Sequence, residues 1–247
     1  MSEALKSLVF ALVLCLVCSL LLTGASVGLR PFQLRNIRTD RQKNVLQSVG
    51  LIEADRQYTP EEIERLYAER IRCLRVSPTG ELLPADTDEP RELPVYVSLN
   101  QDQAIENYII PINTKGLWGD IKGYLALKND GRTVSGFTVY KHAETPGLGG
   151  EIEKQWFQKN FSGKQIVNQA NEFVAVAVAK GSVRDQIAAD KQAHFVDGIS
   201  GATLTGTYLS RGLHEVLREY EPISIRFRQN ELNKLPAGQG TCRPGIK

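Results

Sequence analysis

The chain has 247 residues, 42% hydrophobic and 23% charged, which excludes wholesale disorder and leaves room for one ordinary domain or two small ones. Thirty basic against 28 acidic side chains give a net charge of +2, without the basic excess of a phosphate-backbone binder, so no nucleic-acid partner is expected. Four cysteines and three histidines without any repeat argue against a structural zinc site or a disulfide-built scaffold, and no metal is expected.

The apolar residues are concentrated at one end. From Ser7 to Leu29 there are 23 consecutive uncharged residues, mostly Leu, Val and Ala. As a helix they would reach about 34 Å, enough to cross a hydrocarbon core of about 30 Å. A cleaved signal peptide has a shorter apolar stretch and a small-residue site, which Gly24-Ala25-Ser26 matches poorly. Residues 1–29 therefore read as an uncleaved single-span anchor. Cys15 and Cys18 share one face of it and read as small apolar surface. Arg30, Arg35, Arg38, Arg41 and Lys43 follow the span, and a literal positive-inside count would keep the rest of the chain in the cytoplasm.

Residues 30–58 are polar and basic and read as a juxtamembrane stalk. Thr59-Pro60-Glu61-Glu62 is a helix-start signal with a capping residue, a proline suited to the first turn and a glutamate that can bond back. Ile63, Leu66, Tyr67 and Ile71 then lie on one helical face. Ser77 to Pro94, with four prolines, reads as an exposed loop. Val95, Val97 and Leu99 alternate as in a strand. Gly123–Lys128 and Thr133–Tyr140 flank Asn129-Asp130-Gly131, a hairpin signal. Phe173–Lys180 suggests a buried strand, and Ile223, Ile225 and Phe227 alternate again. Helices are expected at Glu151–Phe161, Arg184–Gln192 and about Thr205–Tyr220. The pattern predicts an α+β domain on a mainly antiparallel sheet with flanking helices, spanning 59–228, and a loosely ordered tail over 229–247. Cys73 and Cys242 could pair in an oxidising compartment, which spacing alone does not decide.

Motifs for a Rossmann pocket, a P-loop, a zincin and a nucleophile elbow are absent. Two other segments carry candidate chemistry. Glu144-Thr145-Pro146-Gly147-Leu148-Gly149-Gly150 is either a sharp connector or a loop whose backbone approaches a flat ligand. Asp197-Gly198-Ile199-Ser200-Gly201-Ala202-Thr203-Leu204-Thr205 opens a helix. Its amides and hydroxyls suit either an ordinary cap or a phosphate.

Together these segments resemble the covalent FMN-binding domain family found in the C subunit of the sodium-translocating NADH:ubiquinone reductase. Val27-Gly28-Leu29-Arg30-Pro31, Asp40–Leu46, Pro111-Ile112 and Gly116-Leu117-Trp118-Gly119 follow the same family order, and the likeness reaches about Phe227. The resemblance implies that Thr203 carries FMN as a phosphate ester, with Asp197, Ser200, Gly201, Ala202, Leu204 and Thr205 on the phosphate side. It also places Glu144, Thr145, Leu148 and Gly149 near the flavin ring. It implies an electron-transfer subunit without catalytic residues of its own. Electrons would come from an intramembrane iron–sulfur centre and go to another flavin, with NADH and quinone handled by other subunits of a membrane respiratory complex. An FAD-dependent flavin transferase would attach the flavin, placing the domain on the periplasmic side of a bacterial inner membrane. The alternatives are the homologous flavin subunit of an Rnf ferredoxin:NAD oxidoreductase complex and an anchored, non-catalytic FMN-binding or sensor domain. The three histidines, His142, His194 and His214, match no family role and read as surface or core residues.

Overall fold

The computed structural model describes residues 2–84 and 90–235. Helix α1 runs from Glu3 to Ser48 and contains the apolar run, which is long and apolar enough to cross a membrane. By backbone contacts the chain divides at Arg41/Gln42 into an N-terminal helical unit and a folded domain. The stretch expected as a stalk is thus helical as far as Ser48. Its last part is not a free tether, because Val45, Leu46 and Ile52 are buried within the domain.

The domain is built on a five-stranded antiparallel sheet. Its strands are β1 (Ile71–Val76), β2 (Leu93–Leu99), β3 (Ile105–Lys115), β4 (Asp120–Lys128) and β5 (Val134–Lys141), paired in chain order. The β4–β5 hairpin closes as its sequence requires: Asp130 Oδ1 accepts from the amides of Arg132 and Thr133. Helix α2 (Pro60–Arg70) begins with a complete capping box, in which Glu62 N donates to Thr59 Oγ1 and Thr59 N donates to Glu62 Oε2. Ile71 is not on that helix; it opens β1.

Both faces of the sheet are covered. On one, Val45, Leu46, Ile52 and Ile63 pack with Ile109, Tyr124 and Ala126. On the other, Tyr108, Ile110, Ile112, Leu125 and Leu127 meet α3 (Gln155–Lys159), α5 (Thr203–Glu219) and α6 (Glu221–Arg228). Strand β3, central in the sheet, therefore has buried residues on both faces. Burial pushes the Tyr108 hydroxyl well above its ordinary range, and it donates to Ser224 Oγ at 2.9 Å.

Several sequence expectations are corrected. Ile223, Ile225 and Phe227 lie on α6, not a strand. Ile223 and Phe227, four apart, are buried, while Ile225 is exposed. Ile223 and Phe227, at i and i+4, fit both periods, and Pro222 suits a first helical turn. Of Phe173–Lys180 only Ala177–Val178 forms a strand, β6, paired in parallel with β7 (Phe195–Val196). The helix expected over 151–161 is a 3-10 turn followed by α3. The helix expected over 184–192 is α4 (Val183–Gln186) followed by another 3-10 turn. In the loop expected from Ser77 to Pro94, Val76 bridges Leu82 and β2 already begins at Leu93; residues 85–89 of it lie outside the described residues. The tail is packed where it is described: Leu232 is buried, and Ile105 N donates to Asn233 O. Residues 236–247, Cys242 among them, lie outside the described residues.

Helix α5 decides where the second motif stands. Leu209, Leu213 and Leu217 face the core, and α5 packs on β3 and β6. At Gly212 it touches β3 so closely that a Cβ would lie 1.6 Å from Thr114 Oγ1 and 2.4 Å from Thr114 Cβ. No rotamer of Thr114 relieves the second contact. Gly→Ala inside a helix ordinarily stabilises it by about 1 kcal/mol. Gly212→Ala is expected to reverse that sign and destabilise the full-length protein by about 1–3 kcal/mol of overpacking, measured by denaturant unfolding in detergent.

Candidate FMN site

Three segments distant in sequence meet at one buried carboxylate. Glu144, just past β5, is 4% exposed. Its Oε2 accepts from Thr205 Oγ1 at 2.5 Å, and its Oε1 accepts from Trp118 N at 3.1 Å. A buried carboxyl group demands such donors, since unpaired burial of a polar group costs several kcal/mol. Thr205, 2% exposed, supplies one from the first turn of α5. The β3–β4 turn supplies the other; it is closed by Gly116 N donating to Gly119 O at 2.7 Å.

The approach is close enough to dictate residue type. A Cβ on residue 149 would lie 2.4 Å from Thr205 Oγ1 and 2.8 Å from Glu144 Oε2, so Gly149 leaves the space the hydrogen bond occupies. The loop is held by Thr145 O, which accepts from Leu148 N and Gly150 N. Leu148 reaches across to Gly201: a Cβ there would lie 2.8 Å from Leu148 Cδ2, and the backbone at 201 is left-handed, with φ +75°. The two sequence motifs are therefore in contact.

Thr203 is the first residue of α5 and is exposed. No side chain caps this helix; its capping position is Ala202. The first-turn amides consequently present donors and the positive end of the helix dipole at Thr203. Leu204 follows Thr203 directly and Leu148 reaches Gly201 just before it, and they are 59% and 44% exposed; Trp118, in the turn held by Glu144, is 69% exposed. Exposed large apolar side chains beside an uncapped helix start fit a ligand with a phosphate and a flat aromatic part. FMN has both.

The other expected residues fall into place unequally. Ser200 and Gly201 are exposed immediately before the helix, and Ala202 is buried. Thr145 is exposed in the loop. Asp197 is engaged elsewhere: its Oδ1 accepts from Val183 N at 2.7 Å, at the start of α4. Thr205 differs from the expected phosphate donor, because its hydroxyl proton goes to Glu144. Sequence reasoning missed His142. Its Nδ1 accepts from Glu144 N at 3.1 Å, and its Nε2 lies 3.1 Å from Glu153 Oε2. The signal available was its position two residues before Glu144, which is too common to be diagnostic.

Residues 116–218 match the model of the FMN-binding domain, a stretch that contains all three converging segments. The protein is thus of the FMN-binding class. The C subunit of the Na(+)-translocating NADH-quinone reductase of Pseudomonas aeruginosa is 35% identical, over 85% of this chain and 89% of the relative. The corresponding C subunit of Yersinia pestis is 32% identical, over 92% and 94%. The crystal structure of the C subunit from Parabacteroides distasonis superposes with a TM-score of 0.67 at 33% identity, covering 79% of this chain and 96% of that one. The chain belongs to the family of C subunits of the Na(+)-translocating NADH-quinone reductase.

The Thr205–Glu144 bond gives a stability prediction. Thr205→Val keeps the volume but leaves the buried carboxyl short of a donor. It should lower unfolding stability by about 1–3 kcal/mol, while Thr205→Ser stays near the parent. Equal stability of the Val and Ser variants in thermal unfolding would show that the bond contributes nothing.

Proposed function

We propose that this chain is the membrane-anchored flavoprotein subunit of a sodium-pumping NADH:quinone reductase, with FMN joined through its phosphate to Thr203. The observation that supports it is the exposed Thr203 at an uncapped helix start beside an apolar rim. FMN, when bound, supplies the capacity to take up and release electrons one or two at a time. The chain's own residues hold and orient it. The amides of Thr203, Leu204 and Thr205 face the phosphate at the positive end of α5. Gly201 and Ala202 keep the approach to Thr203 open for an FAD-dependent flavin transferase, which would form the ester. Ser200 can donate to a phosphate oxygen. Leu148, with Thr145 and Gly149 in the same loop, would cover the ring, and Glu144 would fix that loop against α5. In this role the protein relays electrons between partner centres of the respiratory complex and binds neither NADH nor quinone.

We further propose that residues 1–29 anchor the chain in the bacterial inner membrane and that the flavin domain takes in residues from about Gln42. The domain would lie on the periplasmic side. Cys73 is disulfide-bonded, and a disulfide belongs to an oxidising compartment. That observation weighs against the five basic residues after the span, whose bias is dependable mainly for short loops.

Two experiments follow. Thr203→Ala should lose in-gel flavin fluorescence after denaturing electrophoresis and remain folded, and peptide mass mapping of the parent should find FMN on Thr203. Flavin retained by the variant, or mapped to Thr205 or Thr207, would move the attachment site. For orientation, a C-terminal alkaline phosphatase fusion should be active and a C-terminal green fluorescent protein fusion dark; the reverse pair would place the domain in the cytoplasm.

A further inference from the structure

Glu144 does not hold its own position. Its backbone N–H donates to His142 Nδ1. A backbone amide can only donate, so Nδ1 carries the lone pair and the ring proton sits on Nε2, which donates to Glu153 Oε2. The Glu153 carboxyl is held below the usual carboxylate range, first by the His142 hydrogen bond and then by Lys154, so it stays an acceptor. Glu153 ends the 3-10 turn Gly149–Glu153, and His142 directly follows β5. The imidazole therefore ties together the two ends of the glycine loop. It also packs under the loop, since a Cβ at Gly150 would lie 3.4 Å from His142 Cε1.

We propose that His142 is the positioning residue of this site. Through the Glu144 amide it sets the carboxyl that accepts from Thr205, two residues after Thr203 in the first turn of α5, and from the Trp118 amide. The inference rests on the Thr203 reading for its functional meaning, but the clamp is a property of the chain alone. It differs from a merely structural role in requiring an acceptor at the Nδ1 position.

Side-chain geometry makes this separable. Asn can place an acceptor oxygen where the imidazole has Nδ1, whereas Gln places its polar atoms near Nε2. His142→Asn and His142→Gln would be made in the full-length chain carrying Trp156→Phe, which leaves Trp118 as the sole tryptophan. Two quantities are read. One is Trp118 emission and its quenching by acrylamide in the flavin-free protein. The other is covalent flavin per chain after a fixed time with FAD and a flavin transferase. The Asn variant should match the parent in both. The Gln variant should show a shifted, more quenchable Trp118 and about fivefold slower flavin attachment, the effect of one lost hydrogen bond. Asn and Gln variants that behave alike, or a Gln variant that matches the parent, would overturn the proposal. Should the Gln variant not fold, His142→Ala removes the same Nδ1 acceptor and should shift Trp118 in the same direction; an unshifted Trp118 would overturn the proposal equally. If Trp118 responds as stated while flavin maps to a residue other than Thr203, the clamp stands and the attachment reading fails.

Discussion

A carboxyl group buried to 4% exposure has to be met by donors, and at Glu144 those donors come from two other parts of the chain. This constraint organises the site. The Thr205 hydroxyl brings the first turn of α5 to the glycine loop, and the Trp118 amide brings the β3–β4 turn to the same point. Gly149 is what lets the loop and α5 approach to that distance. With the three segments locked, Thr203 stands at the edge of the junction, exposed and oriented by a helix that cannot slide.

The sheet provides the rigidity behind this junction. β3 is packed from both sides, by α5 and α6 on one face and by the end of α1 with α2 on the other. Gly212 allows α5 to sit directly on Thr114 of β3. Because α5 is thus fixed along its length, the position of its first residue is set by core packing, not by loop conformation. A site built on a packed helix end is more sharply defined than one on a free loop.

The large apolar side chains at the site are exposed, and the proposed covalent link gives that a physical sense. Non-covalent cofactor pockets enclose most of the ligand's surface. Here Leu148 and Leu204, close to Thr203, and Trp118 are exposed. A flavin tethered at Thr203 needs no deep pocket for retention and can keep an edge open to redox partners. The uncapped start of α5 fits the same account, since a phosphate there would take the place that a capping side chain usually fills.

Some features are legible in the chain by itself because their causes are local. The uncharged run Ser7–Leu29 marks a span, Thr59 to Glu62 spells a capping box, and Asp130-Gly131 closes a hairpin; each needs only neighbours a few residues away. The two motifs and their family likeness were legible for the same reason. Strand β3 was not, because Tyr108, Ile109 and Ile110 are buried on both faces and so show no alternation. Helix α6 was misread because Ile223 and Phe227, four apart, fit both a strand and a helix, and only their packing selects one. The bond between Glu144 and Thr205 joins residues 61 apart, and no local pattern announces it. Composition and spacing thus determined the apolar span, the fold class and the two candidate segments. The tertiary structure alone decided that these segments meet, because a buried carboxyl takes its donors from whichever parts of the chain the sheet and α5 bring within reach.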